Sequence, residues 1–499
     1  MIRAKRTSMV KGGASGVGVL CLVGALLSGG GCGPNSNAPT VDAGAAGNVD
    51  SGTESSVAGN GDGAGTGGTA RGDGAAGSGD DAAGSNAAAG TDGGVNSDGA
   101  AGADAAAGAD GGSIDGAAGA LVFGVGLAVI DGDYTSTSIS LLSATGTLVK
   151  DDCINSGTQA AGKLSLTLSG DVALPSQPQR GGDLWLVDRG NAALTIVAPP
   201  TCAVVGQISV GTGFKSNPHD VGIVSDTKVY VTRFNTNVAP PDPTSTGDDV
   251  LILNRSTGAV TGRIALTAYA APVTGFVIHA QPDRMVIAGG KVYVTLGSQD
   301  AKFKATGEGR VVVIDPATDT VSGTIALTGL KSCSAIQYVP ALSSLFVSCG
   351  GGYTDADPVA WSGIAQIDLS TATPTVKITK ASVVGGKPVN FSWIGVLSGT
   401  QAFTGTMGSF PIGDTPGTSD AIYFVNPTAG TAAPLALTAD AYALGAAAVG
   451  PALLVVPEAT ASKPLVHVFD VPAVGAPTER TPFAPDPAKG LPPRQIAWY

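Results

Sequence analysis

The sequence predicts an all-β fold, a seven-bladed β-propeller with four-stranded blades, on three observations. A hairpin is written seven times between Ser138 and the C-terminus, each copy an apolar run, a turn of Asp, Asn and small residues, and a second apolar run. A second hairpin alternates with it, so that each period of about 50 residues holds four short strands. The two ends of the domain read as complementary parts of one blade.

Taken in order, the first kind of hairpin falls near 138–149, 192–210, 249–266, 309–327, 362–378, 420–437 and 464–475. The turns are centred at Ser143, Val197, Asn254, Asp315, Asp368, Asn426 and Asp470. The interleaved hairpins end in the runs 184–187, 229–232, 292–295, 345–348 and 453–456. These runs are rich in β-branched and aromatic residues and are separated by Gly, Asn, Asp and Pro, which is strand and turn chemistry. Four strands per period is the content of a propeller blade. Closure follows from the ends. Pro493 to Tyr499 reads as an innermost strand with nothing after it, and Gly126 to Ile130 as a second strand with nothing before it. Pairing them closes the ring and leaves no edge strand open.

Two copies of Lys-Val-Tyr-Val-Thr, at Lys228 to Thr232 and Lys291 to Thr295, stand beside Val313-Ile314-Asp315-Pro316-Ala317-Thr318-Asp319-Thr320-Val321. On these residues the chain resembles the YVTN family of seven-bladed β-propellers, most closely over 217–327. The resemblance implies the fold. It leaves function open, because that family covers binding proteins, surface proteins and a few lyase-like or cofactor-bearing members.

Ahead of the repeats the chain has a different composition. Arg3, Lys5, Arg6 and Lys11 precede an apolar run, 17–27, that is too short to span a bilayer. Ser28-Gly29-Gly30-Gly31 then leads to Cys32. Residues 1–31 resemble a bacterial lipoprotein signal with Cys32 as the lipidated residue, although Gly29 stands where that pattern prefers Leu. Gly33 after the cysteine, rather than Asp, fits sorting to the outer membrane. From Gly33 to Ala120 the chain carries eleven Asp and one Glu against Arg71 alone, among Gly, Ala, Ser, Thr and Asn. So little apolar surface cannot offset the ordering entropy of the backbone, and residues 32–120 are expected to be a disordered acidic tether. Its root-mean-square reach is on the order of 50 Å. Arg71-Gly72-Asp73 within it reads as a chance match to an integrin tripeptide.

Of the net charge of −12, the tether carries −11 and the basic N-terminal residues +4, which leaves the domain 121–499 at −5. No basic stripe is present, which argues against nucleic acid as a partner. Export puts Cys153, Cys202, Cys333 and Cys349 in an oxidising compartment, where four cysteines form two bridges. The repeat pairs them. Cys333 begins an inner strand and Cys349 ends its hairpin partner, while Cys153 and Cys202 fall in the outer strands of adjacent blades.

Loops that join the second strand to the third, or one blade to the next, open on one face of a propeller, and the other turns open on the opposite face. The first class is long here: 235–249, 297–309, 350–362 and 405–420. The second is short: Ser225-Asp226-Thr227, Ala288-Gly289-Gly290 and Ser256-Thr257-Gly258. Long loops gathered on one face of a rigid ring point to a binding face. The expected function is a lipid-anchored binding or scaffold protein of the cell envelope. It would engage a protein or carbohydrate through that face, with Asp283, Arg284, Asp355 and Asp357 as candidate contacts. The alternative is a lyase or hydrolase using His219, Asp220 and His279 around the central channel. His219 and Asp220 follow Asn217-Pro218 at the start of an inner strand, and His279 is placed at the matching position one blade later. His467 is expected to be structural. No metal or cofactor is expected: Asp248-Asp249 and Tyr353 to Asp357 lack the ligand count of a calcium loop, and no hydrolase, zinc or phosphate-binding motif occurs.

Overall fold

Strands packed between two neighbouring sheets must be apolar on both faces, whereas an outermost strand can alternate. The structure follows this division. Gly126–Gly132 and Ser344–Gly350 are buried at every position, while the outer strand Thr320–Lys331 alternates between exposed and partly covered residues over most of its length. The computed structural model describes Leu121 and residues 123–499, except 353, 413, 461 and 462. The expected signal, Cys32 and the tether lie outside the described residues.

Among the described residues, seven four-stranded antiparallel sheets form the blades of a propeller. Their inner strands are Pro493–Trp498, Val172–Ala173, Pro218–Ile223, Pro282–Ala288, Cys333–Val339, Gly395–Ser398 and Ala448–Gly450, here blades 1 to 7. The ring closes as the sequence predicts: Pro493–Trp498 pairs with Gly126–Gly132, matching Val129 with Ile496 and Leu127 with Trp498. The core lies between blades rather than inside one sheet. Between blades 4 and 5, for example, Val311 and Leu327 pack with Leu345 and Val347.

Lys228 and Tyr230 of the repeated motif both reach Asp319 in the outer turn of blade 4, and Lys228 Nζ also donates to Pro316 O at 2.8 Å. The two motifs that carry the family resemblance are thus joined across a blade boundary.

Both disulfides pair as expected, Cys153 with Cys202 and Cys333 with Cys349. Three local expectations need correction. Cys202 lies not in an outer strand but in the turn before Ala203–Ser209, at φ 55°. That turn follows Ala198, one residue beyond Val197, because the strand Ala193–Ala198 continues until Pro199-Pro200 ends it. The short-loop face also carries one long connection, 174–183 in blade 2, whose function is tertiary.

Candidate functional site

In blades 3, 4 and 5 the chain reaches the upper mouth of the channel by one local device. A residue at positive φ (Asn217 49°, Gln281 49°, Ser332 50°) is followed by a bulge in the inner strand. The device sets the repeat register: Pro218 corresponds to Pro282, and His219 to Asp283 and Ser334. His279 is therefore not the counterpart of His219. It sits in an added two-stranded ribbon, Ile278–His279 with Gln299–Asp300, and its Nδ1 lies 3.0 Å from Thr236 Oγ1.

The register match makes a contact. His219 Nδ1 and Asp283 Oδ1 are 2.7 Å apart, and the imidazole stacks on Phe234 with ring centroids 4.2 Å apart. Burial pushes the His219 pKa down, against the pull of Asp283, so the ring is neutral. Burial would raise Asp283, but the hydrogen bond from His219, Arg284 and Ser334 outweigh it and hold that carboxyl below the usual carboxylate range. A neutral imidazole donating Nδ1–H to Asp283 keeps its lone pair on Nε2, which has no hydrogen-bond partner among the described residues. Arg189 carries its charge nearby and is held by Asp171, with Nε 2.9 Å from Oδ1. The histidine lies between blades, only 7% exposed, rather than in the channel wall.

Asp220 is fully buried and has its own task. It accepts from Ser176 N at 3.0 Å and Met285 N at 2.7 Å, which ties blades 3 and 4 to the connection 174–183. Burial pushes its carboxyl up. That connection runs up the channel. Gln177 Oε1 accepts from Ile287 N, and Gln179 receives Ile223 N and donates to Val221 O, so side-chain amides replace a neighbouring strand at bare inner edges. Gln337 does the same for both backbone groups of Val396, and Gln495 for both of Leu174. The rest of the channel is a cavity of about 630 Å³ on the side of blades 4 to 7 and 1. Arg284 lines it and donates to Leu174 O at 2.7 Å.

The long-loop face is built on blades 3 to 6. Arg233, wholly buried, makes a two-point contact with Asp249 (2.8 and 2.7 Å) and donates to Thr244 O at 2.7 Å, pinning the 237–246 loop. Asp248 accepts from Ala280 N and Gln281 N. Neither carboxylate of this pair is turned out as a calcium ligand. Asp355 is paired with Lys331 at 3.0 Å beneath Trp361, and Asp357 caps the turn Pro358–Trp361 through Ala360 N. Of the proposed contacts, Asp283 is buried against His219, Asp355 is half-buried against Lys331, Asp357 is exposed on the long-loop face as a turn cap, and Arg284 faces the channel. His467 lies in blade 7 between Glu479 and Glu458, at 2.6 and 2.9 Å.

Beside exposed charged residues such as Asp242, Lys302 and Asp414, the face exposes apolar tips. Val238, Phe276 and Val277 are 91%, 46% and 78% exposed, and they flank the two loops that the Thr236 to His279 contact joins. Sequence reasoning missed Asp171, Arg189 and Phe234 in the buried cluster, and missed these apolar tips. Only the parallel between Asn217-Pro218-His219 and Gln281-Pro282-Asp283 was a signal that could have located the cluster.

No family model and no curated protein matches the chain. Solved structures of similar fold exist. The periplasmic gluconolactonase of Pseudomonas aeruginosa is 13% identical, covering 75% of this chain and 98% of that one, with a TM-score of 0.47. For hydrazine synthase of Kuenenia stuttgartiensis the identity is 14%, the coverage 63% and 79%, and the score 0.42. For BamB of Moraxella catarrhalis the values are 14%, 73% and 92%, and 0.34. These likenesses concern the fold and carry no argument about what the chain does.

Proposed function

We propose that the protein is an exported, lipid-anchored receptor or scaffold of the cell envelope, which engages a protein partner through the long-loop face of its propeller without catalysis. One observation carries this reading. The loops of blades 3 to 6 gather on one face and present Val238, Phe276 and Val277 to solvent, while Leu121 and Phe123 join the domain at the opposite face. Clustered exposed apolar side chains on pinned loops suit a protein partner better than a polar glycan. Two disulfides fit a chain exported to an oxidising compartment.

The test compares the wild-type chain with Phe276→Asp/Val277→Asp in capture from cell envelope and culture fluid. The reading expects a protein retained by the wild type and lost from the variant, at equal folded content by circular dichroism. Capture of the same set by both, or of nothing by either, overturns it.

A further inference from the structure

We propose that the central channel is a binding site for a small, partly apolar molecule that carries an oxygen acceptor, reached from the short-loop face past Leu121 and Phe123. This goes beyond the long-loop reading and uses the other side of the ring.

The cavity of about 630 Å³ has the size of a small-molecule site. Its walls are the inner strands of blades 4 to 7 and 1, with Ile287, Ile336 and Ile394 among the lining side chains. Four backbone groups at the inner edges are already taken up by side chains. Gln177, Gln337, Gln495 and Trp498 Nε1 satisfy Ile287, Val396, Leu174 and Val449. At these four positions a guest displaces no water from an unpaired backbone group, while Ser176, Ser392 and Arg284 keep the wall partly polar.

One of these groups is charged. Arg284 gives Nη1 to Leu174 O and lies 3.8 Å from Asp283 through Nε, and Nη2 has no hydrogen bond among the described residues. Its charge is partly balanced by Asp283 and Asp220, which favours a directed hydrogen bond to a carbonyl, carboxylate or sulfonate oxygen over bulk anion attraction.

The start of the domain lies at the lower mouth. Val125 N donates to Tyr499 O at 2.8 Å, and Phe123 lies on Trp498 with centroids 5.4 Å apart, both in blade 1. Leu121 packs instead with the cluster of Val339, Phe346 and Val396 from blades 5 and 6. Leu121 and Phe123 both line the cavity. Leu121 and Phe123 thus stand at two sides of the opening, the first against blades 5 and 6 and the second against blade 1.

The experiment uses the full chain bearing Cys32→Ser, which keeps detergent out of the assay. Two fluorescent probes with the same rings are titrated: 1-anilinonaphthalene-8-sulfonate, which carries an oxyanion, and N-phenyl-1-naphthylamine, which does not. Both are expected to bind at one site per chain and to quench tryptophan fluorescence. Arg284→Met should weaken the sulfonate by about tenfold and leave the amine within about twofold. Phe123→Ala should speed association of both, and this variant at the edge of the domain keeps the test available if Arg284→Met does not fold. Absence of one-site binding overturns the proposal. So does binding that neither substitution changes in proteins whose thermal unfolding matches the parent.

Discussion

Replacing Arg233 by Met isolates the contact that holds the long-loop face together. The guanidinium is wholly buried, meets Asp249 at two points, and donates to Thr244 O in the 237–246 loop. Removing it leaves the buried Asp249 with only Arg263 Nη1, at 3.7 Å, and costs up to about 3 to 5 kcal/mol. The described domain runs from 123 to 499. At about 2.1 cal/mol/K per residue its unfolding entropy is roughly 0.8 kcal/mol/K, so each kcal/mol moves Tm by roughly 1.3 °C. Arg233→Met should therefore lower Tm by up to about 4 to 6 °C. Adding Asp249→Leu should restore most of that loss, because no unpaired charge is left. Limited proteolysis should cut the 237–246 loop in both variants, since both lack the donor to Thr244 O. Differential scanning calorimetry with peptide mapping reads both effects. A single variant within about 1 °C of the wild type, or a double variant less stable than the single, would refute the reasoning.

His219 is buried neutral, with its pKa below the ordinary value, so the unfolded chain binds the extra proton as pH falls through about 6.5. Its contribution to stability is full above that pH and fades below it. The drop in Tm from pH 7.5 to 5 should therefore be smaller in His219→Asn than in the wild type, and an equal or larger drop counts against the neutral assignment. Cys333→Ser/Cys349→Ser opens a loop with a separation of 16 and Cys153→Ser/Cys202→Ser one of 49. The expected costs by urea unfolding are about 3 and 4 kcal/mol, and the reverse order would contradict the loop-closure argument. Gln337→Leu removes both partners of Val396 at the channel edge. It should cost about 1 to 3 kcal/mol and raise hydrogen exchange at the Val396 amide, whereas unchanged exchange would show that this clasp contributes nothing.

Much of the architecture was legible because it depends on local chemistry repeated. Asp315-Pro316 and the residues after it mark a turn wherever they occur, and the apolar runs on either side can only be strands in a repeat of this length. Closure was legible from the unpaired half-blades at the two ends, and the pairing of Cys333 with Cys349 from their places in one hairpin. The site was less legible for a physical reason. A ribbon inserted between blades 3 and 4 carries His279 into the sequence position where a repeat partner of His219 was sought, and moves the true partner to Asp283. Residues 174–179 have the composition of a surface loop, and only the bare inner edges of blades 2 to 4 make them channel filling. A glutamine that stands in for a strand has no local signature at all. Exposed apolar tips such as Val238 and Val277 cannot be told from core residues until the ring shows which side faces water.

The central claim is that the long-loop face of the propeller meets a protein partner and the short-loop face does not. Photo-crosslinking amino acids placed singly at Val238, Val277 and Asp226 in the full chain, irradiated on cells of the native host, test it most directly. Val238 and Val277 stand on the long-loop face and Asp226 in a turn of the short-loop face. The account predicts one shared protein adduct from Val238 and Val277 and none of it from Asp226. That adduct from Asp226 alone, or no adduct from either valine, would contradict it.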